Sequence, residues 1–285
     1  EFLYIKTATV ENDNFVKVVL YTDENAYVTE YLLYRSDDGV NFTQIATLPM
    51  SALAEIEYND LTAAFRARSY YYKAIVVDSC GYIADTSNIV RTMHLSINTN
   101  QKQVTNQLLW NDYEGFSGSP TSYNVWRRVD GVLEAMPTAV YPPATGNHVD
   151  DAGNVPQSKG TFTYYIEALE GAGNIYGLQA TSLSNEVQAL MDPKMFIPSA
   201  FTPQGTISQN TTFKPIGVFV PEGSYEFSIF NRLGQMIFTT NDLEQGWDGT
   251  FNGDYVPEGV YVYLVKFTSA TKKEYERRGT VTVIR

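Results

Sequence analysis

"TSYNVWRRVDGV" (Thr121–Val132) reads like a second printing of "TEYLLYRSDDGV" (Thr29–Val40). At an offset of 92, Thr, Tyr, Arg, Asp, Gly and Val coincide, and Tyr34 falls on Trp126. The same offset carries Tyr72 onto Tyr164, Ala74 onto Ile166, Val76 onto Ala168 and Gly81 onto Gly173. "TSNIV" (from Thr86) then matches "LSNEV" (from Leu183) at an offset of 97, so the second copy has five extra residues, which we assign to a tolerant surface loop. Residues 1 to about 190 are therefore two copies of one module.

Each copy alternates strand-like runs with turns. In the first the runs are "FVKVVLY", "TEYLLYRS", "FTQIATL", "AEIEYND", "SYYYKAIVVD" and "SNIVRTM". In the second they are "QLLWND", "SYNVWRRV", "TFTYYIEAL" and "NEVQAL". Branched and aromatic side chains suit a pleated, half-buried surface, and 14% of the 285 residues are aromatic, with 21 Tyr among them. No amphipathic helix pattern emerges, and "MSALAEI" makes a short turn at most. Several short strands in about 90 residues predict a sandwich. Tyr72-x-Ala74-x-Val76 and Tyr164-x-Ile166-x-Ala168, each followed by an acid, a small residue and Gly, resemble the fibronectin type III domain. That resemblance implies a core Trp at Trp110, with Val18 as its counterpart in the first copy. It implies a fold and nothing about activity.

Pro193 and Pro198 interrupt strand continuation, which places a boundary near 192. The expected domains are 1–95, 96–192 and 193–285, and the fold class is all-β, a row of tandem β-sandwiches. The last segment carries five ordered blocks: "FIPSAFTPQG", "FSIFNRLGQMIF", "GWDGTFNG", "VPEGVYVYLVKF" and "RRGTVTVIR". Gly234 suits a hairpin turn, and the final stretch reads as strand, loop, strand and closing strand, ending on Arg285 within the last strand. "GWDGTFNGDYVPEGVY" (246–261) packs four glycines and the turn pairs Asp248-Gly249 and Asn252-Gly253 among aromatic rings. Trp247 and Tyr261 are expected to pack a small core rather than hold a ligand.

Those blocks, in that order, resemble the gliding-motility-associated C-terminal domain, the type B sorting domain of the type IX secretion system of Bacteroidota. The resemblance implies an Ig-like sandwich that directs export to the cell surface. The implied partners are the type IX translocon and an outer-membrane β-barrel serving type B cargo. The residues carrying the resemblance are Asn231, Arg232, Gly234, Trp247, Asp248, Gly249, Gly259 and Tyr261, which specify the fold that is recognised. Arg232 is either a partner contact, through bidentate bonds to carboxylates or carbonyls, or a cap on its own hairpin. Two departures stand out. Leu233 replaces the family's Trp, and the acidic calcium-type block is reduced to "QGTISQN" (204–210), which has no carboxylate.

The net charge is −12. Residues 193–285 contain nine basic and nine acidic residues, so the repeats carry 11 basic and 23 acidic residues and all of the excess. Such acidity argues against nucleic acid as a partner. No apolar run approaches the ~20 residues that span a bilayer. The chain opens in a strand-like pattern at "EFLYIKTATV" without a signal peptide, and we expect a mature or trimmed C-terminal piece that is monomeric in isolation. The one cysteine, Cys80, excludes an internal disulfide and is expected to be a buried or half-buried thiol.

For chemistry the sequence is poor. No Gly-x-Ser-x-Gly, P-loop or His-Glu-x-x-His motif occurs, and no catalytic residue, metal site or cofactor is assigned. His148 falls where the first copy has Tyr58. "HVDD" (148–151) reads as a solvated turn in preference to a metal site. "KKEYERRG" (272–279) is either a charge-guarded edge or part of a docking face. The expectation is a non-enzymatic fragment of a secreted surface protein of the gliding-adhesin kind. The alternative is a carbohydrate-binding or spacer module of a secreted enzyme, which three or more coplanar, exposed aromatics on one face of 1–190 would favour.

Overall fold

The computed structural model describes residues 2–23, 28–51, 53–78, 80–221 and 223–285. The first repeat contributes β1 (Leu3–Glu11), β2 (Phe15–Thr22), β3 (Val28–Ser36), β4 (Thr43–Pro49), β5 (Glu55–Asp60), β6 (Tyr71–Asp78), β7 (Ile83–Thr86) and β8 (Val90–Arg91). One sheet runs β1-β2-β5. The facing sheet runs β4-β3-β6-β7, with β8 also on β6. The alternation of buried and half-exposed residues along β6, with Tyr72, Ala74 and Val76 inward, is what drives the two sheets together.

The second repeat rebuilds the same sandwich from β9 (Leu95–Asn100), β10 (Thr105–Trp110), β11 (Pro120–Val129), β12 (Val132–Leu133), β13 (Ala139–Tyr141), β14 (Asn147–Asp151), β15 (Thr161–Glu170), β16 (Thr181–Leu183) and β17 (Val187–Leu190). Its sheets are β14-β10-β9 and β12-β11-β15-β16, with β13 on β11 and β17 on β15. Asp130 and Gly131, both at positive φ, make the tight turn between β11 and β12. Ser-Asn has the same task in both copies. Asn88 Oδ1 accepts from Ile5 N at 2.7 Å, and Asn185 Oδ1 accepts from Leu95 N at 2.7 Å, so each asparagine ties the last strand to the first.

The strand register corrects one sequence expectation. Val18 lies opposite Tyr58 and Leu108 opposite His148, so Leu20, not Val18, is the counterpart of Trp110. The offset there is 90 because the loops flanking β3 and β11 differ in length. The five extra residues are not a free loop either. Their turn carries Tyr176 onto Phe2, Tyr4 and Tyr21 of the first repeat, with centroid distances of 5.1, 4.8 and 5.9 Å. Beside it Ser182 Oγ donates to Ala8 O and Leu183 N to Thr9 Oγ1, so β1 lies against β16 and the two repeats share one contiguous core.

Residues after 193 form β18 (Lys194–Phe196), β19 (Ala200–Phe201), β20 (Ile216–Val218), β21 (Glu226–Phe230), β22 (Met236–Thr240), β23 (Thr250–Phe251), β24 (Asp254–Tyr255), β25 (Gly259–Thr268) and β26 (Glu274–Val283). Their main sheet is β19-β26-β25-β21-β22, with the small pairs β18-β20 and β23-β24 beside it. β26 is one strand where two were expected. Gly279 passes through it because the Tyr263 hydroxyl occupies the space a Cβ would need. Arg285 lies beyond its end and donates to Val256 O.

This last unit has its own core but lends its neighbour Phe219, with Val218 packed beside it. Phe219, at φ 60°, is buried in the core of the repeats, edge-on to Phe162 at 5.9 Å, and donates its N–H to Pro156 O. A Cβ at Gly160 would lie 3.1 Å from the Phe219 Cβ and 2.8 Å from Met191 O, so glycine is what lets the plug in. Phe219→Ala is expected to cost about 3 kcal/mol. Hydrogen exchange should rise around Gly160–Phe162 and remain unchanged around Trp247.

Candidate functional site in the C-terminal unit

The site is assembled from the hairpin joining β21 to β22. Asn231 closes it: Oδ1 accepts from Leu233 N and Gln235 N, both at 3.0 Å, and Nδ2 donates to Gln235 Oε1. Gly234 takes φ +80°, and its N–H reaches Asn231 O. The hairpin cap is thus Asn231. Arg232 makes no hydrogen bond or ion pair among the described residues, and its guanidinium lies over Gly259, where a Cβ would sit 2.8 Å from Nη2. Gly259 itself has φ +145°.

From Gly259 the chain leads inward to Tyr261, whose hydroxyl donates to Pro257 O at 2.8 Å. Burial raises the Tyr261 hydroxyl pKa, and the Arg232 charge pulls it part of the way back. Trp247 stands edge-on to Tyr261 at 5.2 Å, is fully buried, and donates Nε1–H to Thr250 O. Asp248 accepts from both the N–H and the hydroxyl of Thr250, so it is a turn builder. Gly249, at φ +79°, fits against Pro203, and its carbonyl accepts from Val256 N. Asn252 and Gly253, both at positive φ, then join β23 to β24. All eight predicted residues fall along one path, from an exposed hairpin to a buried indole. The hairpin end and Asp248 are exposed, whereas Trp247, Gly249 and Tyr261 are buried.

Elsewhere the candidate polar residues mostly bond within the fold, although His148 Nε2 is buried without a hydrogen-bond partner among the described residues. "HVDD" lies in β14 rather than in a solvated turn. His148 shares Nδ1 with the Tyr141 hydroxyl, and Asp150 is buried against Arg127 and Tyr164. Burial lowers the His148 pKa, which disfavours a charged imidazole. Among the described residues no group of three or more His, Cys, Asp or Glu side chains is placed to hold a metal. Residues 204–210 are closed by backbone bonds, Gly205 N to Thr202 O and Thr202 N to Asn210 O. Cys80 is exposed, contrary to expectation, because Asp78 Oδ1 holds both Cys80 N and Tyr82 N in an outward turn. Among the described residues of 1–190 the one parallel aromatic pair is Trp126 with Tyr165. Trp126 Nε1 is bonded to Glu167, and Arg128 lies over the Tyr165 ring.

No helix among the described residues is long and apolar enough to cross a membrane. A search of curated proteins finds no match. Among solved structures, the chain is similar to a tetra-tandem repeat in the extending region of a large adhesion protein. Identity is 13%, coverage 99% of this chain and 73% of that one, and the TM-score 0.38. It is also similar to a two-domain fibronectin type III segment of chicken tenascin, with 10% identity, coverage of 67% and 98%, and a TM-score of 0.25. At these scores the likeness carries no argument about function. Residues 195–283 match the family model of the CHU_C type IX secretion signal domain, so the two β-sandwich repeats here precede a secretion signal, and the chain is that of an exported protein, secreted or held at the cell surface.

Proposed function

We propose that residues 193–285 are the address of this protein and residues 1–192 a spacer that carries it clear of the membrane. The division into units 1–95, 96–192 and 193–285 belongs to this reading, as do the absence of catalysis and a monomeric state. The folded C-terminal unit would be recognised by the type IX translocon and then by an outer-membrane β-barrel of the type B pathway. The observation that carries the proposal is the path from Arg232 to Trp247. It spends its aromatic and turn residues on a rigid shape and leaves a cation and Leu233 on the surface. The chemistry is recognition, since the best-connected polar clusters, around Asp60 and Asp150, spend their bonds within the fold. The spacer reading is favoured by β1 lying against β16, which holds the repeats in a fixed relation. An adhesive role for the whole protein fits the same arrangement.

The test is truncation. Residues 1–192, led into the periplasm by an added signal peptide, are expected to stay there, whereas the 285-residue chain reaches the surface or the medium. Equal export of both would sink the proposal.

A further inference from the structure

The two edges of the main sheet in the C-terminal unit are built differently. At one, β26 runs Glu274-Tyr275-Glu276-Arg277-Arg278 before β19 covers it at Thr282 and Val283. Arg278 pairs with Glu276, and Lys273 lies over Tyr275. Charges of this kind prevent a foreign strand from adding to an edge. This is the guarded-edge reading of the basic cluster.

The other edge is β22, Met236-Ile237-Phe238-Thr239-Thr240, which has no charge and no proline. It pairs with β21 alone, and among the described residues its outward backbone groups meet no further strand. A bulge near Ile237 interrupts the register once and leaves Phe238–Thr240 regular. Thr239 is exposed, and so is Met236 at 47%. Met236 lies opposite Phe230, and Phe230 opposite Val262, so an apolar strip runs across the sheet from this edge. At the end of the strip Leu233 is 92% exposed, beside Arg232, which makes no hydrogen bond or ion pair among the described residues. Residues 231–240 contain one cation and no acid, in a chain of net charge −12.

From this asymmetry we propose that β22 is the docking edge. A component of the secretion machinery adds an extended, mostly apolar strand to it and sets a carboxylate on Arg232. Main-chain bonds to Phe238–Thr240 supply affinity, the strip from Met236 to Val262 supplies side-chain fit, and Arg232 fixes the register. The inference rests on the reading of this unit as a secretion signal.

The experiment follows export of the full chain, behind an added signal peptide, in a bacterium with a type IX system. Thr239→Lys places a charge on the edge, Arg232→Glu reverses the cation, and Arg277→Glu is the control on the guarded edge. Thermal melting of each purified variant reports folding. Arg232→Glu, at an exposed and unbonded side chain, carries the test if Thr239→Lys melts early. The expected result is export reduced at least about tenfold by Thr239→Lys and by Arg232→Glu, the effect of roughly 1.4 kcal/mol of lost affinity, with Arg277→Glu unchanged. Folded Thr239→Lys and Arg232→Glu chains exported like the wild type would overturn the docking edge and leave the secretion reading standing. Wild-type export that persists in a translocon mutant would remove both. A wild-type dimer in sedimentation that Thr239→Lys dissolves would show that β22 pairs with a second copy instead.

Discussion

Trp247→Ala is expected to cost about 3–5 kcal/mol, the largest loss of any single truncation in the C-terminal unit. The indole is completely buried, packs on Phe201 at 5.3 Å and Tyr261 at 5.2 Å, and its backbone exchanges both hydrogen bonds with Phe213. Domains of this size hold roughly 5–15 kcal/mol in total, so the variant sits near the edge of folding. Urea unfolding of the full chain is expected to show an early transition confined to residues after 193. Tyr261→Phe is the mild comparison. It keeps the ring contact, removes only the bond to Pro257 O, and is expected to cost about 1 kcal/mol. Equal effects from the two variants would mean that the indole is not the keystone of this core.

The second large effect belongs to the repeats. Each copy buries an Arg–Asp–Tyr triad at matching positions. Arg35 Nη1 and the Tyr72 hydroxyl both donate to Asp60 Oδ2, at 2.7 and 2.9 Å. Arg127 Nη1 donates to Asp150 Oδ1 at 2.8 Å, and the Tyr164 hydroxyl to Asp150 Oδ2 at 2.6 Å. Removing Asp60 takes away the ion-pair partner of the half-buried Arg35 guanidinium, whereas Arg127 keeps both of its bonds to Glu134 when Asp150 is removed. Asp60→Ala is expected to cost about 3 kcal/mol, read as a drop in urea midpoint, and Asp150→Ala less, because Glu134 still neutralises Arg127.

The first triad also fixes a pH response. Burial pushes the Asp60 carboxyl upward, but bonds from Thr62, Arg35 and Tyr72 outweigh it and hold the group below the usual carboxylate value. Its contribution is therefore complete above about pH 4 and disappears as pH falls through the lower folded value. Asp60→Asn should flatten that part of the curve. An unchanged acid limb in Asp60→Asn would remove Asp60 from the account.

Much of this was legible in the sequence, for physical reasons. The repeat reveals itself because the inward positions of β3, β6, β11 and β15 must match in parity and in polar partner. Tyr72 with Tyr164, and Arg35 with Arg127, therefore align without gaps. Turn chemistry is local, and Asn252-Gly253, Asp130-Gly131 and Gly234 all take the positive φ that their types suggest. What stayed hidden depends on contacts far apart in the chain. Nothing around Phe219 announces that it belongs to another core, since its partners Phe162 and Gly160 lie about 60 residues upstream. Tyr176 looked like a loop residue because its partners are Phe2, Tyr4 and Tyr21. The two-residue shift that moves Trp110 from Val18 to Leu20 preserves parity, so no alternation rule detects it. The open edge at β22 followed only from the sheet order. An uncharged run such as "MIFTT" suits a central strand as well as an edge.

The most direct measurement is export of a fluorescent reporter fused ahead of residues 1–285, behind an added signal peptide, in a type IX-competent strain and in its translocon mutant. The account predicts reporter at the cell surface or in the medium of the first strain and confined to the periplasm of the second. Equal export from both strains would contradict it.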